Sequence, residues 1–204
     1  MGKERQLRQR EATKNEILDA AREIVFKEGF QGLSVRKITN QLDYSPAIIY
    51  HYFKNKNEII ETLVSEGYKR IFAAVSSITR NEDEPEKEIR EAFTNLLKAA
   101  LDSSEEYKAV MLNDDAAVLQ KTALLKPGVP EKSPTLKMLC ENLRRGIGQG
   151  RYSCYDPELT AQVLWTAIFG LIIKVIIEKD VSQEQINRLL DHHFTVLFNG
   201  ILKR

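Results

Sequence analysis

Cysteine is scarce in this 204-residue chain, with Cys140 and Cys154 the only two. So few thiols exclude a disulfide-stapled scaffold, and no ligand spacing accompanies them; a surface redox pair is the one special role left, and two reduced thiols in a cytosolic chain is the plainer reading. Charge of one sign is lacking as well. Thirty Lys and Arg against 29 Asp and Glu leave a net charge of +1, which excludes a polybasic nucleic-acid coat. No glycine-rich phosphate loop, Ser-His-Asp order or metal spacing is present, and the adjacent His192 and His193 point in different directions and make a poor chelate. An enzyme is therefore not expected, nor any cofactor or metal. Long apolar runs are missing too. The most hydrophobic stretch, "VLWTAIFGLIIKVII" at residues 163–177, is broken by Lys174, whereas a spanning helix needs roughly 20 apolar residues. It reads as a buried helix with no membrane partner. The start of the chain is charged where a signal peptide would be apolar, so a cytoplasmic protein is expected. Strand alternation is absent, and the fold class expected is all-α.

Apolar residues at 43% and charged residues at 29% are what a globular domain carries. Charge is unevenly placed: residues 1–60 hold eleven Lys or Arg against eight Asp or Glu, a balance of +3 that leaves −2 for the rest. An anionic partner is thus directed to the N-terminal region.

Helical periodicity runs almost throughout. Residues 11–28 place Ile17, Ala20, Ala21, Ile24 and Val25 on one face, with Gly29 as C-terminal cap. Ser34 caps a second short helix that buries Val35, Ile38 and Leu42. Asp43 and Tyr44 form a tight turn, Ser45 caps a third helix, and Pro46 sits in its first turn, where a missing N–H costs nothing. Asn55 opens a fourth helix, with Glu58 completing a capping-box-like pair, and this helix extends to about residue 79. Beyond the polar "NEDEPEKE" at 81–88, helices are expected over 87–101, 105–123, 134–148, 157–179 and 183–202, with "KPGVPEKSP" at 126–134 as a break. The architecture implied is a small three-helix unit over residues 1–55, followed by a larger helical body over 56–204, about nine helices in total.

The short helix at 45–53 raises the functional question, because "SPAIIYHYFKNKNE" crowds aromatics and lysines into one stretch. At 100° per residue, Ile49, Tyr52 and Phe53 face the preceding helix, while Pro46, Ala47, Tyr50 and His51 lie opposite. Two short helices with a four-residue turn, the second presenting its front half, form a helix-turn-helix. Ala47 is small enough for close approach to a base edge and a thymine methyl, and His51 suits a base edge or a phosphate. Tyr50, Ser34, Thr39 and Ser45 offer hydroxyls to phosphates, and Lys54 and Lys56 add charge at the groove rim. Arg36 and Lys37 stand early in helix two. Arg8 and Arg10, on an arm expected to be unstructured, are placed for a minor groove or backbone. The physics suggests a DNA reader without establishing one; a helical dimeric adaptor that binds no DNA remains the competing reading.

"YHYFKNKNEII" at 50–60 resembles the end of the DNA-binding domain of the TetR family of bacterial transcriptional regulators, through Tyr50, Tyr52, Phe53 and Lys56. "ILDAAREIVFKEGFQGLSVRKITNQL" is similar to that family's first helix, its Gly-Phe turn and the start of its second helix. The resemblance covers about 50 residues. The chain departs from the family at the turn, where Asp43 stands in the usual glycine's place and Tyr44 in that of a smaller aliphatic residue; Asp tolerates a left-handed conformation, so an intact turn is expected. The resemblance implies a homodimer on a pseudo-palindromic operator, with residues 45–52 in successive major grooves and Lys56 holding the backbone. It implies a repressor released by a small molecule; an activator is a variant of the same class.

In the C-terminal body, the apolar arc on the last two helices is wider than one buried face requires. Leu164, Ile168, Leu171, Ile172 and Val175, with Leu190, Phe194, Leu197 and Phe198, are the expected dimer interface. A pocket is expected among Phe72, Phe93, Leu97, Tyr107, Met111, Met138, Trp165 and Phe169, with Asp114, in an unusual run with Asn113 and Asp115, as a polar contributor. Apolar candidates dominate, so a small hydrophobic or amphipathic effector is expected.

Overall fold

The computed structural model describes residues 2–114, 116–153 and 155–202; Asp115 and Cys154, both singled out above, lie outside them. The described residues form ten α-helices and one 3-10 turn: α1 Gly2–Gly32, α2 Val35–Leu42, α3 Pro46–Tyr52, α4 Lys56–Ser76, α5 Pro85–Asp102, α6 Ser104–Met111, α7 Ala116–Thr122, the 3-10 turn Val129–Glu131, α8 Pro134–Gly148, α9 Pro157–Glu178 and α10 Gln183–Ile201. The all-α expectation holds. The chain divides into two compact units, one of Met1–Tyr68 with Glu105–Thr122, the other of Lys69–Ser104 with Ala123–Arg204.

In the first unit, Ile17, Ala21, Ile24 and Val25 of α1 close one core with Ile38, Ile49 and Phe53 and with Ile59, Ile60, Leu63 and Val64 of α4. The α1 residues, together with Ile38, Ile49 and Phe53, are positions that helical spacing placed inward. Gly29 breaks the helix with φ 71° and ψ 175°, a region that favours glycine. Two elements differ from expectation. The N-terminal arm is helical from Gly2, because "KERQLRQREATKNE" is rich in strong helix formers and has no Gly or Pro. The single helix expected over 105–123 is two, α6 and α7, with Leu112, Asn113 and Asp114 between them in turn and irregular backbone.

In the second unit, α9 is central and packs on α5, α8 and α10. Among the described residues it is the one helix long and apolar enough to cross a membrane, by length and composition; here Ala161, Leu164, Trp165, Ile168, Ile172, Val175 and Ile176 fill the unit's core. A file of rings runs through it. Phe198 stacks on Phe194 at 5.8 Å, Phe194 on Phe93 at 6.3 Å, and Phe93 meets Trp165 edge-on at 6.1 Å. The Arg90 guanidinium lies 4.7 Å from the centre of the Phe194 ring and pairs with Asp191 at 2.8 Å.

The residues expected at a dimer interface therefore have a different place. Leu164, Ile168, Ile172, Val175, Leu190, Phe194 and Phe198 are buried within the protomer, and Leu171 and Leu197 are half-buried. The apolar side chains left at the surface of the same helices are Leu159, Val163 and Ile177 on α9 and Leu189 and Val196 on α10. The apolar arc thus covers both faces of these helices, and the residues expected at the interface lie mainly on its inner side.

Candidate functional site

The turn before α3 sets the site. Asp43 adopts φ 54° and ψ 38°, the left-handed conformation that the sequence requires of it, and the Tyr44 N–H closes the turn on the Thr39 carbonyl at 3.1 Å. The Tyr44 ring packs on the core while its hydroxyl donates to Glu16 at 2.6 Å. That bond to Glu16, together with burial and the carboxylate's charge, raises the phenol above its ordinary pKa. α3 is then anchored from beneath. Ile49 is fully buried, Phe53 is 2% exposed, and the Lys14 ammonium sits 5.5 Å from the Phe53 ring centre.

With those anchors fixed, rotation at 100° per residue decides the rest. Pro46, Ala47, Tyr50 and His51 are all exposed, Tyr50 at 55%. Ser45 is exposed at the N-cap, and its side chain makes no capping bond. Lys54 is exposed and Lys56 half-buried. The start of α4 is fastened by a reciprocal pair, in which the Glu58 N–H donates to Asn55 Oδ1 at 3.0 Å and the Lys54 N–H donates to the Glu58 carboxylate at 2.6 Å. The bond reaches one residue beyond the usual capping box. It ties the residue after Phe53 to the first turn of α4.

The remaining candidates divide. Ser34 caps α2 by accepting from the Lys37 N–H at 3.3 Å and is half-buried, and Arg36 is exposed. Lys37 is exposed but paired with Glu28. Thr39 is buried at 6%, and its hydroxyl donates to the Arg36 carbonyl at 2.9 Å, a bond that a phosphate would have to displace. Arg8 and Arg10 are exposed on α1 rather than on a loose arm. Two residues apart on a helix, they point about 200° from each other, so one backbone cannot take both.

The pocket candidates scatter more widely. In the second unit a cavity of about 60 Å³ is lined by Phe93, Met138 and Trp165 of the expected set. Leu97 is buried and Phe72 and Phe169 half-buried, none of them lining it. Tyr107, Met111 and Asp114 belong to the first unit, where Tyr107 is buried and Asp114 is exposed in the stretch between α6 and α7. The cavity's polar wall was missed: Glu88, Thr135 and Asn142 line it. Glu88 accepts from the Asn81 N–H at 2.5 Å and from Asn142 Nδ2 at 2.9 Å, and pairs with Arg145 at 2.6 Å. Burial pushes its carboxyl up, but Arg145, the Asn81 N–H and Asn142 together outweigh burial and hold it below the ordinary range. A signal existed in the sequence: Glu88 falls on the stripe of Ile89, Ala92, Phe93, Leu96 and Leu97, and Asn142 on that of Leu136, Leu139 and Leu143. A charge or amide on a buried stripe marks a polar network.

No group of three or more His, Cys, Asp or Glu among the described residues is arranged to hold a metal. Cys140 is buried, and burial raises its thiol above the ordinary value.

The helix-turn-helix lies within a stretch that matches a known family. Residues 17–63 match the family model described as bacterial regulatory proteins, tetR family. The chain is 39% identical over 72 residues to the Bacillus subtilis protein named Probable HTH-type transcriptional regulator YttP, covering 33% of this chain and 35% of that one. It is 34% identical over 61 residues to the HTH-type transcriptional regulator UidR of Escherichia coli K12, covering 30% and 31%. These matches thus span about a third of the relatives' own length. A TetR family transcription regulator from Marinobacter aquaeolei VT8 superposes with a TM-score of 0.65 at 18% identity, over 97% of this chain and 100% of that one. At that identity the likeness is one of fold.

Proposed function

The chain belongs to the TetR family of bacterial transcriptional regulators, and on that premise we propose that it binds a palindromic operator as a homodimer and is released by a small organic effector. The observation that carries the reading is the two-sided α3. Ile49 and Phe53 lock the helix to its unit while Ala47, Tyr50 and His51 stand clear of it. A rigid helix with small residues at its front suits a major groove about 12 Å wide. Ala47 would approach a base, Tyr50 and His51 would contact base edges or phosphates, and Ser45, Ser34 and Arg36 would fix the register on the backbone. Lys54 and Lys56 would add sequence-independent attraction. The division of labour follows the chain: residues 1–55 read DNA, and the rest dimerises and responds.

Repression is the sign we propose. α4 is one helix whose first turn is capped to the end of α3 and whose last turns bring Val75 to the cavity wall. An effector that widens the cavity would displace that end of α4 and change the spacing of two reading helices, which must suit half-sites about 34–36 Å apart. Selection of bound sequences from a pool of random duplexes tests the reading. An inverted repeat with fixed spacing is the expected product, and recovery of no motif would refute it.

A further inference from the structure

Two residues that line the cavity in the second unit each carry a buried polar atom without a hydrogen-bond partner among the described residues: Asn142 Oδ1 and Trp165 Nε1. Their residues are 6% and 3% exposed, and both line the same space. The orientation of the Asn142 amide is fixed by its neighbours, since Nδ2 donates to the Pro85 carbonyl and to Glu88, both at 2.9 Å and both acceptors only. Oδ1 is therefore an acceptor in need of a proton, and the indole N–H a donor in need of an oxygen. Groups of this kind are costly to leave unpaired.

We infer that the cavity takes the hydroxyl or primary-amide end of a small, uncharged, otherwise apolar molecule, its proton going to Asn142 Oδ1 and its oxygen accepting from Trp165 Nε1. This deepens the effector reading above and rests on it. One hydroxyl carries both a proton and an oxygen, as does one primary amide, so either group offers what both atoms lack. A carboxylate has no proton for Asn142 and meets the Glu88 anion, whose matching cation Arg145 is already engaged. An ammonium has no oxygen for Trp165. The apolar remainder would lie against Phe93 and Ile89, with Met138, half-buried and flexible, as the side chain that yields to bulk. The space of about 60 Å³ is smaller than the roughly 150 Å³ that accommodates benzene elsewhere, so entry must widen it.

Trp165 is the chain's single tryptophan, and its emission reports on the cavity directly. The full chain is titrated with benzyl alcohol, toluene and benzoate. A saturable change with benzyl alcohol is expected, at an affinity about tenfold or more above toluene, with benzoate weakest. No saturable response to the alcohol, parity with toluene, or preference for benzoate overturns the inference. Trp165→Phe keeps a ring and removes the N–H; followed by calorimetry, it should bring the alcohol down to toluene's affinity, and a preserved preference overturns the inference. Asn142→Leu should do the same, its fold checked by circular dichroism because Asn142 also ties Pro85 and Glu88. Release of a selected operator duplex is measured separately. Alcohol binding without release upholds the cavity chemistry and removes the regulatory role. Release by toluene or benzoate but not by the alcohol upholds regulation and overturns the cavity chemistry.

Discussion

Asp43 holds the helix-turn-helix at the one turn position where a left-handed backbone is needed. A side chain there costs about 1–2 kcal/mol relative to glycine, least for Asp and Asn. Asp43→Val should therefore lower the stability of the first unit by about 1–2 kcal/mol in urea unfolding, while Asp43→Gly stays near neutral, its relief of strain offset by a freer unfolded chain. On the exposed side of α3, Tyr50→Ala and His51→Ala should each weaken operator binding by about 1–3 kcal/mol with helicity unchanged, read by gel shift beside circular dichroism. Undiminished affinity would remove both from the reading surface. The contrast with Ile49 is the point: an exposed ring at 55% beside a fully buried neighbour is a choice that packing alone does not explain.

At the scale of helices, the pair of buried Glu88 and half-buried Arg145 joins α5 to α8 and carries a pH signature. Because the Glu88 carboxyl is held below its ordinary range, its contribution to stability is present above about pH 4.5 and is lost as pH falls through the lowered folded value. Glu88→Gln should flatten the acid limb of the stability curve below that pH. At neutral pH it should cost about 1–3 kcal/mol, since Arg145 loses its closer carboxylate and keeps only Glu82 at 3.8 Å. Thermal melts across pH 3–7 check both parts, and parallel acid limbs would dismiss the pair as the source. This network also marks the limit of what the sequence disclosed. The helices, the Asp43 turn and the inward trio of α3 were legible because period and capping act over a few residues. The scatter of the pocket set was not, because Tyr107 and Phe93 look alike on a helical wheel and only long-range packing assigns them to different units. The helical arm at residues 2–16 was legible in composition and was missed for lack of any apolar stripe.

For the whole molecule, the question is what covers the outer faces of α9 and α10. Leu159 and Val163 are 62% and 61% exposed, and Val196 is 57% exposed. Gly170 and Gly200 stand exposed on the same helices, and a Cβ added at either would meet nothing within 4 Å. Apolar side chains with small residues between them allow two helices of one protomer to lie close against two of another in a four-helix bundle. A second copy is the occupant proposed, and the net charge of +1 raises little repulsion between identical chains. Val163→Arg combined with Val196→Arg should convert dimer to monomer in sedimentation equilibrium while leaving the melting temperature of each protomer's core nearly unchanged. Binding to a two-half-site duplex should fall by far more than binding to a single half-site, because the second contact ceases to be intramolecular. Ile168→Ala is the control. That side chain is fully buried within the protomer, so its truncation should cost about 2–5 kcal/mol of folding stability and act on assembly only through unfolding. Dimers that persist with both arginines in place would move the interface off these faces, and with it the geometry proposed for the operator.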